Sequence, residues 1–450
     1  MIEIQAKLLR GPVYFVQETV QCLITLKNIP RTNENGSIPN GSISNRKNNV
    51  ANNSIERICW ANVQLHCFCT VDESQIDCQR IIDENLDCKL INHNGNYMKN
   101  KRNSIAFETY SSNDTSFHES LVRGERGIII YASKPKILFC DLQLEPHQSQ
   151  TFIYTETLPS NLNPSYSSNR LKYYYKLSIG AQRIGSPIYL LKIPIRILTV
   201  DGFPSLSTNN DQSNGTENSL NENDDDIKSC TSTNNSLTFD DESKDHGTPF
   251  DIALHRIEYL AGHRIPHNFN ITSTFGKVAK FFIFKTVYRL GEDIIGLFDF
   301  TEGLVKCIRY SVVLQSEETI AERYSVSSSS TTTKSRINLA NHTRFHECCL
   351  NMDQSPMILS IPFTLTPSFA NNLISLKWNL HFSFVIENNQ KQQNSTINLC
   401  TETEDGIQTL APRQLNVQVM TWDFPIKIVA TYPAHVAKGF QMASIGTLNI

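Results

Sequence analysis

The chain has 450 residues, 40% apolar and 19% charged, with a formal net charge of -3. Length favours two or three domains, and composition allows real cores alongside much polar loop. The basic residues are too sparse for a nucleic-acid footprint. Charge is also uneven: residues 201–250 hold 11 acids against Lys228 and Lys244, leaving a mildly basic remainder suited to an acidic partner or an anionic surface.

The first residues, MIEIQAKL, alternate apolar and polar as a strand does, and lack the basic start and apolar run of a signal peptide. No window of 18 apolar residues is present, and Ile2 follows the initiator, so neither a span nor myristoylation is expected and the chain is placed in the cytosol. Arg10-Gly11-Pro12 makes a turn into a second strand ending near Lys27. Residues 29–56 are rich in Asn, Ser and Gly and read as a disordered insertion. Strand signals return at Cys59–Val71, give way to polar sequence over 76–122, and are dense from Ile128 to Leu198.

Residues 199–247 form an acidic linker. Thr248-Pro249 then supplies an N-cap and a first-turn proline, and Phe250, Leu254, Ile257 and Ala261 recur at helical spacing, predicting a short packing helix over 249–261. Beyond it, strands are expected at Val278–Tyr288, Asp293–Phe300, Leu304–Gln315, Met357–Leu365, Ile374–Val385 and Leu415–Val429. Residues 321–345, with a Ser/Thr run, and 386–412 read as polar insertions.

Three echoes in the same order link the two halves, the first offset by about 274 positions. PVYFVQETVQCLITL (12–26) matches TVYRLGEDIIGLFDF (286–300), placing Glu18 on Glu292 and Leu23 on Leu297. FIYTETLP, PSY and LKYYYKL match LSIPFTLTPSF and SLKWNLHF; PIRI (Pro194–Ile197) matches PIKI (Pro425–Ile428). Leu171, Tyr173, Tyr175 and Leu177 alternate onto one face, as do Leu376, Trp378, Leu380 and Phe382. Two copies of one β-rich unit follow, with boundaries at 1–198, 199–247 and 248–450. The strand–LP–loop–strand–PI order resembles that of arrestin-type proteins, giving an all-β fold of two tandem arrestin-like β-sandwiches with long polar loop insertions and one short helix.

Chemistry is sparse. There is no nucleotide-binding glycine loop, no G-x-S-x-G and no HExxH. Arg123-Gly124-Glu125-Arg126-Gly127 precedes a strand, so it reads as a turn and lacks a helix N-terminus for phosphate. Among twelve cysteines no CxxC occurs; Cys67 and Cys69 share a strand face with Val63 and Leu65 and read as buried thiols rather than zinc ligands. Glu18 and Glu292 read as partners of backbone or basic groups at equivalent turns, and Glu292-Asp293 and Glu317-Glu318 point to opposite strand faces, so no acid/base pair emerges. No cofactor or metal is expected. Partner-binding candidates are Lys134-Pro135-Lys136, leading into an apolar strand, and Trp422-Asp423 beside a proline-bounded strand, although packing explains each more simply.

GPVYFVQETVQCLITL, ERGIIIYASKPKILFCDLQL (125–144), KYYYKLSIGAQRIGSPIYLLKIPIRIL (172–198), GKVAKFFIFKTVYRLGEDIIG (276–296), SLKWNLHFSF (375–384) and WDFPIKI (422–428) resemble the retrograde Golgi transport protein family. That family is the smaller, arrestin-like subunit of a two-subunit guanine-nucleotide exchange factor for a Golgi Rab GTPase. The resemblance implies a larger partner subunit, a Rab-type small GTPase as target, peripheral contact with Golgi membranes, no nucleic acid and no catalysis by this chain alone. An arrestin-like cargo or receptor sorting adaptor without exchange activity is the competing expectation, since fold alone does not fix function.

Overall fold

The computed structural model describes residues 1–29, 55–81, 83, 127–200, 247–326, 336–388, 400–403, 406–409 and 416–450. The Arg123–Arg126 cluster, the acidic stretch 201–246, the Ser/Thr run at 327–335 and most of the Asn-rich insertion lie outside these residues.

The first half contributes β1 (Ile2–Leu8), β2 (Val13–Phe15), β3 (Thr19–Asn28), β4 (Glu56–Val71), β5 (Ile128–Ala132), β6 (Lys136–Leu144), β7 (Ser149–Thr157), β8 (Tyr166–Ser167), β9 (Leu171–Arg183) and β10 (Ile188–Leu198). Helix α1 (Pro249–Gly262) follows. The second half contributes β11 (His267–Ser273), β12 (Gly276–Ile283), β13 (Val287–Arg289), β14 (Asp293–Asp299), β15 (Cys307–Ile320), β16 (Ile337–Cys348), β17 (Gln354–Ser360), β18 (Phe369–Ala370), β19 (Ile374–Glu387), a β20–β21 hairpin (Cys400–Thr403, Gly406–Thr409) and β22 (Val417–Val429). Helix α2 (Pro433–Gly439) and β23 (Ile445–Asn449) end the chain. The protein is all-β, in tandem β-sandwiches.

In the first sandwich a sheet ordered β23-β1-β3-β7 opposes one ordered β2-β10-β9-β4, on whose far edge β5 and β6 both pair with β4. In the second, β11-β12-β14-β17 opposes β13-β22-β19-β15-β16. The sequence echoes are therefore structural equivalents. In each copy the short strand after the first turn runs parallel to the PI-[RK]-I strand: Val13 lies beside Arg196, and Val287 beside Lys427. Leu171, Tyr173, Tyr175 and Leu177 are buried in one copy, and Leu376, Trp378, Leu380 and Phe382 in the other, because alternate strand residues face the opposing sheet.

Helix α1 starts where the sequence indicates. Thr248 accepts from the Asp251 amide while Asp251 reaches back to the Thr248 amide, a reciprocal cap. Ala253, Ile257 and Ala261 are buried, and Phe250 packs 5.9 Å from Phe15 of the first sandwich. Full burial of Ile257 alone holds the helix in place by about 2 kcal/mol.

Two sequence expectations need correction. Residues 337–348, read as part of a polar insertion, form β16; polar residues stand on both faces of this edge strand, and a bulge between Asn341 and Arg344 shifts the phase, so no clean apolar alternation runs through it. The single strand expected over Val278–Tyr288 is two, because the chain leaves one sheet after Ile283 and enters the other at Val287. The residues after Tyr432, which carried no assignment, form α2 and then β23, which pairs with β1 of the first sandwich from Glu3↔Asn449 to Lys7↔Ile445. In the second sandwich the equivalent place beside β12 is filled by β11.

Candidate functional site

The duplicated turn is built the same way twice. In the first copy the Phe15 amide donates to Glu18 Oε2 at 2.5 Å, and Arg10 lies 3.1 Å from Oε1. In the second the Arg289 amide donates to Glu292 Oε2 at 2.8 Å, and Lys285 pairs with Oε1. Burial pushes the Glu18 carboxyl up, opposed by the Phe15 amide and Arg10. Both acids are turn braces. The residue before each has a left-handed backbone: Gln17 at φ 68° and Gly291 at φ 81°.

The polar constellation that joins distant parts of the chain lies on the seam between the sandwiches. The two LP loops face one another there: Thr366 Oγ1 donates to the Ser165 carbonyl (3.2 Å), and Asn371 Nδ2 to Asn163 Oδ1 (2.9 Å). The equivalent rings of Tyr166 and Phe369 meet edge-on at 5.3 Å. Tyr166 also donates a 2.5 Å bond to the buried Glu318 carboxylate, with Arg170 4.0 Å from its other oxygen. Arg196, from the PIRI strand, donates through Nη2 to the Leu365 carbonyl at 2.7 Å and through Nη1 to Phe363 at 3.4 Å. Its guanidinium stacks 4.1 Å from the Phe440 ring. Burial pulls the Arg196 pKa down to about 10, so these carbonyls and the ring offset a real desolvation cost. The Asp77 amide bonds to the Tyr324 carbonyl (2.8 Å) and the Val326 amide to the Gln75 carbonyl (3.1 Å), stitching the far end.

The candidates read from sequence fall in two separate places. Lys134 and Pro135 lie between β5 and β6, and Lys136 opens β6, where it pairs with Glu156 at 2.9 Å and lies 5.4 Å from the Tyr154 ring. Trp422 is half-buried in the second sandwich among Phe269, Phe281, Phe382 and Phe424, with centroids 4.9–5.9 Å away. Asp423 points outward to His381 at 2.6 Å. Cys67 and Cys69 are buried thiols, with Cys69 pushed up to about 12 chiefly by desolvation. Among the described residues no cluster of three or more His, Cys, Asp or Glu is placed to hold a metal. Of the seam residues, Arg196 and Tyr166 were not singled out from sequence, and Glu318 entered only as half of the Glu317-Glu318 pair; the one available signal was an arginine inside the apolar run Ile193–Leu198, which normally demands a buried partner.

Comparison with known proteins gives the lineage. The Rgp1 family model matches residues 57–201 and 199–387. The chain is 31% identical over 451 residues to RAB6A-GEF complex partner protein 2 of Homo sapiens, covering 100% of both chains. It is 31% identical over 439 residues to the protein of the same name in Bos taurus, covering 96% of this chain and 95% of that one. A solved structure of the sporulation control protein Spo0M from Bacillus subtilis aligns over 44% of this chain and 49% of its own, at 11% identity and a TM-score of 0.23, and adds nothing to the assignment. With the family model spanning both sandwiches and full-length identity to these relatives, the chain belongs to the Rgp1 family.

Proposed function

We propose that this chain is the smaller, non-catalytic subunit of a two-subunit guanine-nucleotide exchange factor that activates a Golgi Rab-type GTPase in retrograde endosome-to-Golgi transport. The observation that carries the reading is identity along the whole chain to proteins named as partners in a RAB6A exchange-factor complex. In this reading the chain works in the cytosol and at the Golgi surface, bound to a larger subunit.

Exchange requires no bond chemistry on the protein. A factor that binds the nucleotide-free GTPase more tightly than the loaded form weakens nucleotide binding by the same factor, through linkage. A preference of about 4 kcal/mol speeds release roughly a thousandfold if it is realised in the release transition state. Such work needs shaped, preorganised surfaces. Two sandwiches joined through Arg196, Tyr166, Glu318 and α1 suit a subunit that holds a larger partner in one geometry.

The test is fluorescent-GDP release from purified Golgi Rab GTPases with this chain, the candidate larger subunit, and both. Acceleration by the pair alone supports the reading. Spontaneous rates with the pair, together with capture of sorting cargo by this chain, establish an adaptor instead.

A further inference from the structure

Where β15 begins and β16 ends, two thiols meet in the core. Cys307 and Cys349 are 4% and 2% exposed. Strand pairing brings them together: Arg309 lies opposite Cys348, and the Cys349 amide donates to the Ile308 carbonyl at 3.0 Å. An irregularity between Cys307 and Arg309 lets Cys307 and Tyr310, three residues apart, both face inward, on the side where Cys349 is buried. The Cys349 sulfur lies 3.4 Å from the Cys307 carbonyl and the Cys307 sulfur 3.5 Å from the Arg309 carbonyl. The two thiols are also hydrogen-bonded to each other.

That bond makes the two sulfurs unlike. Cys349 is held below the ordinary thiol range because Cys307 donates to its thiolate, while the bond to Cys349, and then burial, hold Cys307 well above it. A thiolate with a second thiol already in contact is what sulfur oxidation requires, one sulfur to attack and the other to resolve. Position supplies access. Cys349 is the first residue after β16, beside the exposed Cys348, and leads into a turn through Asn351, at φ 61°, and the exposed Met352. β16 is the edge strand of its sheet, so fraying of its last residues admits a molecule little larger than water.

We propose that Cys307 and Cys349 form a redox-modification site, closed to a disulfide by hydrogen peroxide and reopened by a dithiol reductant. The Cys349 thiolate attacks one peroxide oxygen and the O–O bond breaks, leaving a sulfenic acid and a hydroxide that takes up the thiol's proton as the first water. The Cys307 sulfur then attacks the sulfenic sulfur; the S–S bond forms, and the sulfenic hydroxyl leaves with the Cys307 proton as the second water. Two thiols give up two electrons and two protons, and the peroxide is reduced to two waters. Glutathione disulfide is too bulky for a sulfur on a residue 2% exposed, which is why the small oxidant is assigned. In a reducing compartment the pair rests as thiols, and closure follows an oxidising episode. The link fastens the open end of the β15–β16 hairpin and ties the edge strand to its neighbour. The site is independent of the exchange-factor reading.

The test exposes reduced, folded, full-length chain to hydrogen peroxide, blocks the remaining thiols with iodoacetamide, and maps tryptic peptides without reduction. The expected product joins the peptide Cys307–Arg309 to the peptide Phe345–Lys377 and disappears after dithiothreitol. The second peptide holds both Cys348 and Cys349, so fragment ions that separate them assign the sulfur in the wild type without any variant. Cys348→Ser is expected to keep the link and Cys349→Ala to lose it. The oxidised wild type is also expected to unfold at a urea midpoint higher than the reduced form by roughly 1 M, because the link constrains the unfolded chain. Oxygen added only to Cys348 or Met352, or a link that runs to Cys348, overturns the proposal. So does a link that appears only after urea has unfolded the chain.

Discussion

Replacing Gly291 by alanine is expected to destabilise the second sandwich by about 2–4 kcal/mol, in two separable parts. At φ 81° the backbone is left-handed, a region that costs an alanine about 1 kcal/mol. The added Cβ would also lie 2.1 Å and 2.2 Å from Cε1 and Cζ of Phe363. The ring has little room to retreat, since a Cβ on Gly439 would lie only 2.7 Å from the Phe363 Cβ, which shows how closely that backbone abuts from the other side. Overpacking of this kind costs about 1–3 kcal/mol. Phe363 also presents its carbonyl to Arg196, so the displacement reaches the seam. In a Trp60→Phe background, which removes the one tryptophan of the first sandwich, urea unfolding followed by the fluorescence of Trp378 and Trp422 reports on this sandwich; with a slope of about 3 kcal/mol per molar, the midpoint falls by roughly 1 M. Gln17→Gly at the equivalent turn is the companion. It relieves a left-handed glutamine but adds unfolded-state freedom, and the two nearly cancel, within about 0.5 kcal/mol. A Gly291→Ala midpoint indistinguishable from wild type refutes the steric account.

Tyr166→Phe removes the short bond to buried Glu318 and should cost about 2 kcal/mol in the same unfolding assay, because it leaves a carboxylate with Arg170 at 4.0 Å as its remaining seam partner. Glu18 titrates above the usual carboxylate range, so the folded state holds its proton more tightly than the unfolded chain. Stability therefore falls as pH rises from the ordinary carboxylate range through the raised pKa, and a pH series of midpoints should lose that component in Glu18→Gln. Ending the chain at Tyr432 removes the acceptors of the Ile2 and Leu8 amides, the carbonyls of Ile450 and Ser444. Hydrogen exchange should accelerate at Ile2 and Leu8 and stay slow at Leu9, which donates to Gln21.

Legibility tracked burial. Four inward residues in each of β9 (Leu171 to Leu177) and β19 (Leu376 to Phe382) were read correctly, because a face buried against an opposing sheet must be apolar at every second residue, and that constraint is written locally. Thr248 and Pro249 fixed the start of α1 for an equally local reason, satisfaction of its first amides. β16 was lost because neither of its faces is consistently apolar and a bulge shifts its phase. The Glu18 and Glu292 braces were foreseen in role because both copies keep them. Trp422 and Asp423, adjacent in sequence, diverge because consecutive strand residues face opposite ways: one joins the aromatic core, the other meets His381 in solvent.

The sequence by itself determined the two-fold repeat, the all-β character, the position of the helix and the family, since each is carried by local periodicity or by blocks of matching residues. Only the tertiary structure decided that Arg196 reaches the carbonyls of the other copy, that Tyr166 meets Glu318, and that the last strand returns to β1. These are pairings between residues far apart in the chain, selected by which carbonyls, carboxylates and sheet edges folding leaves without partners, and no local pattern encodes that choice.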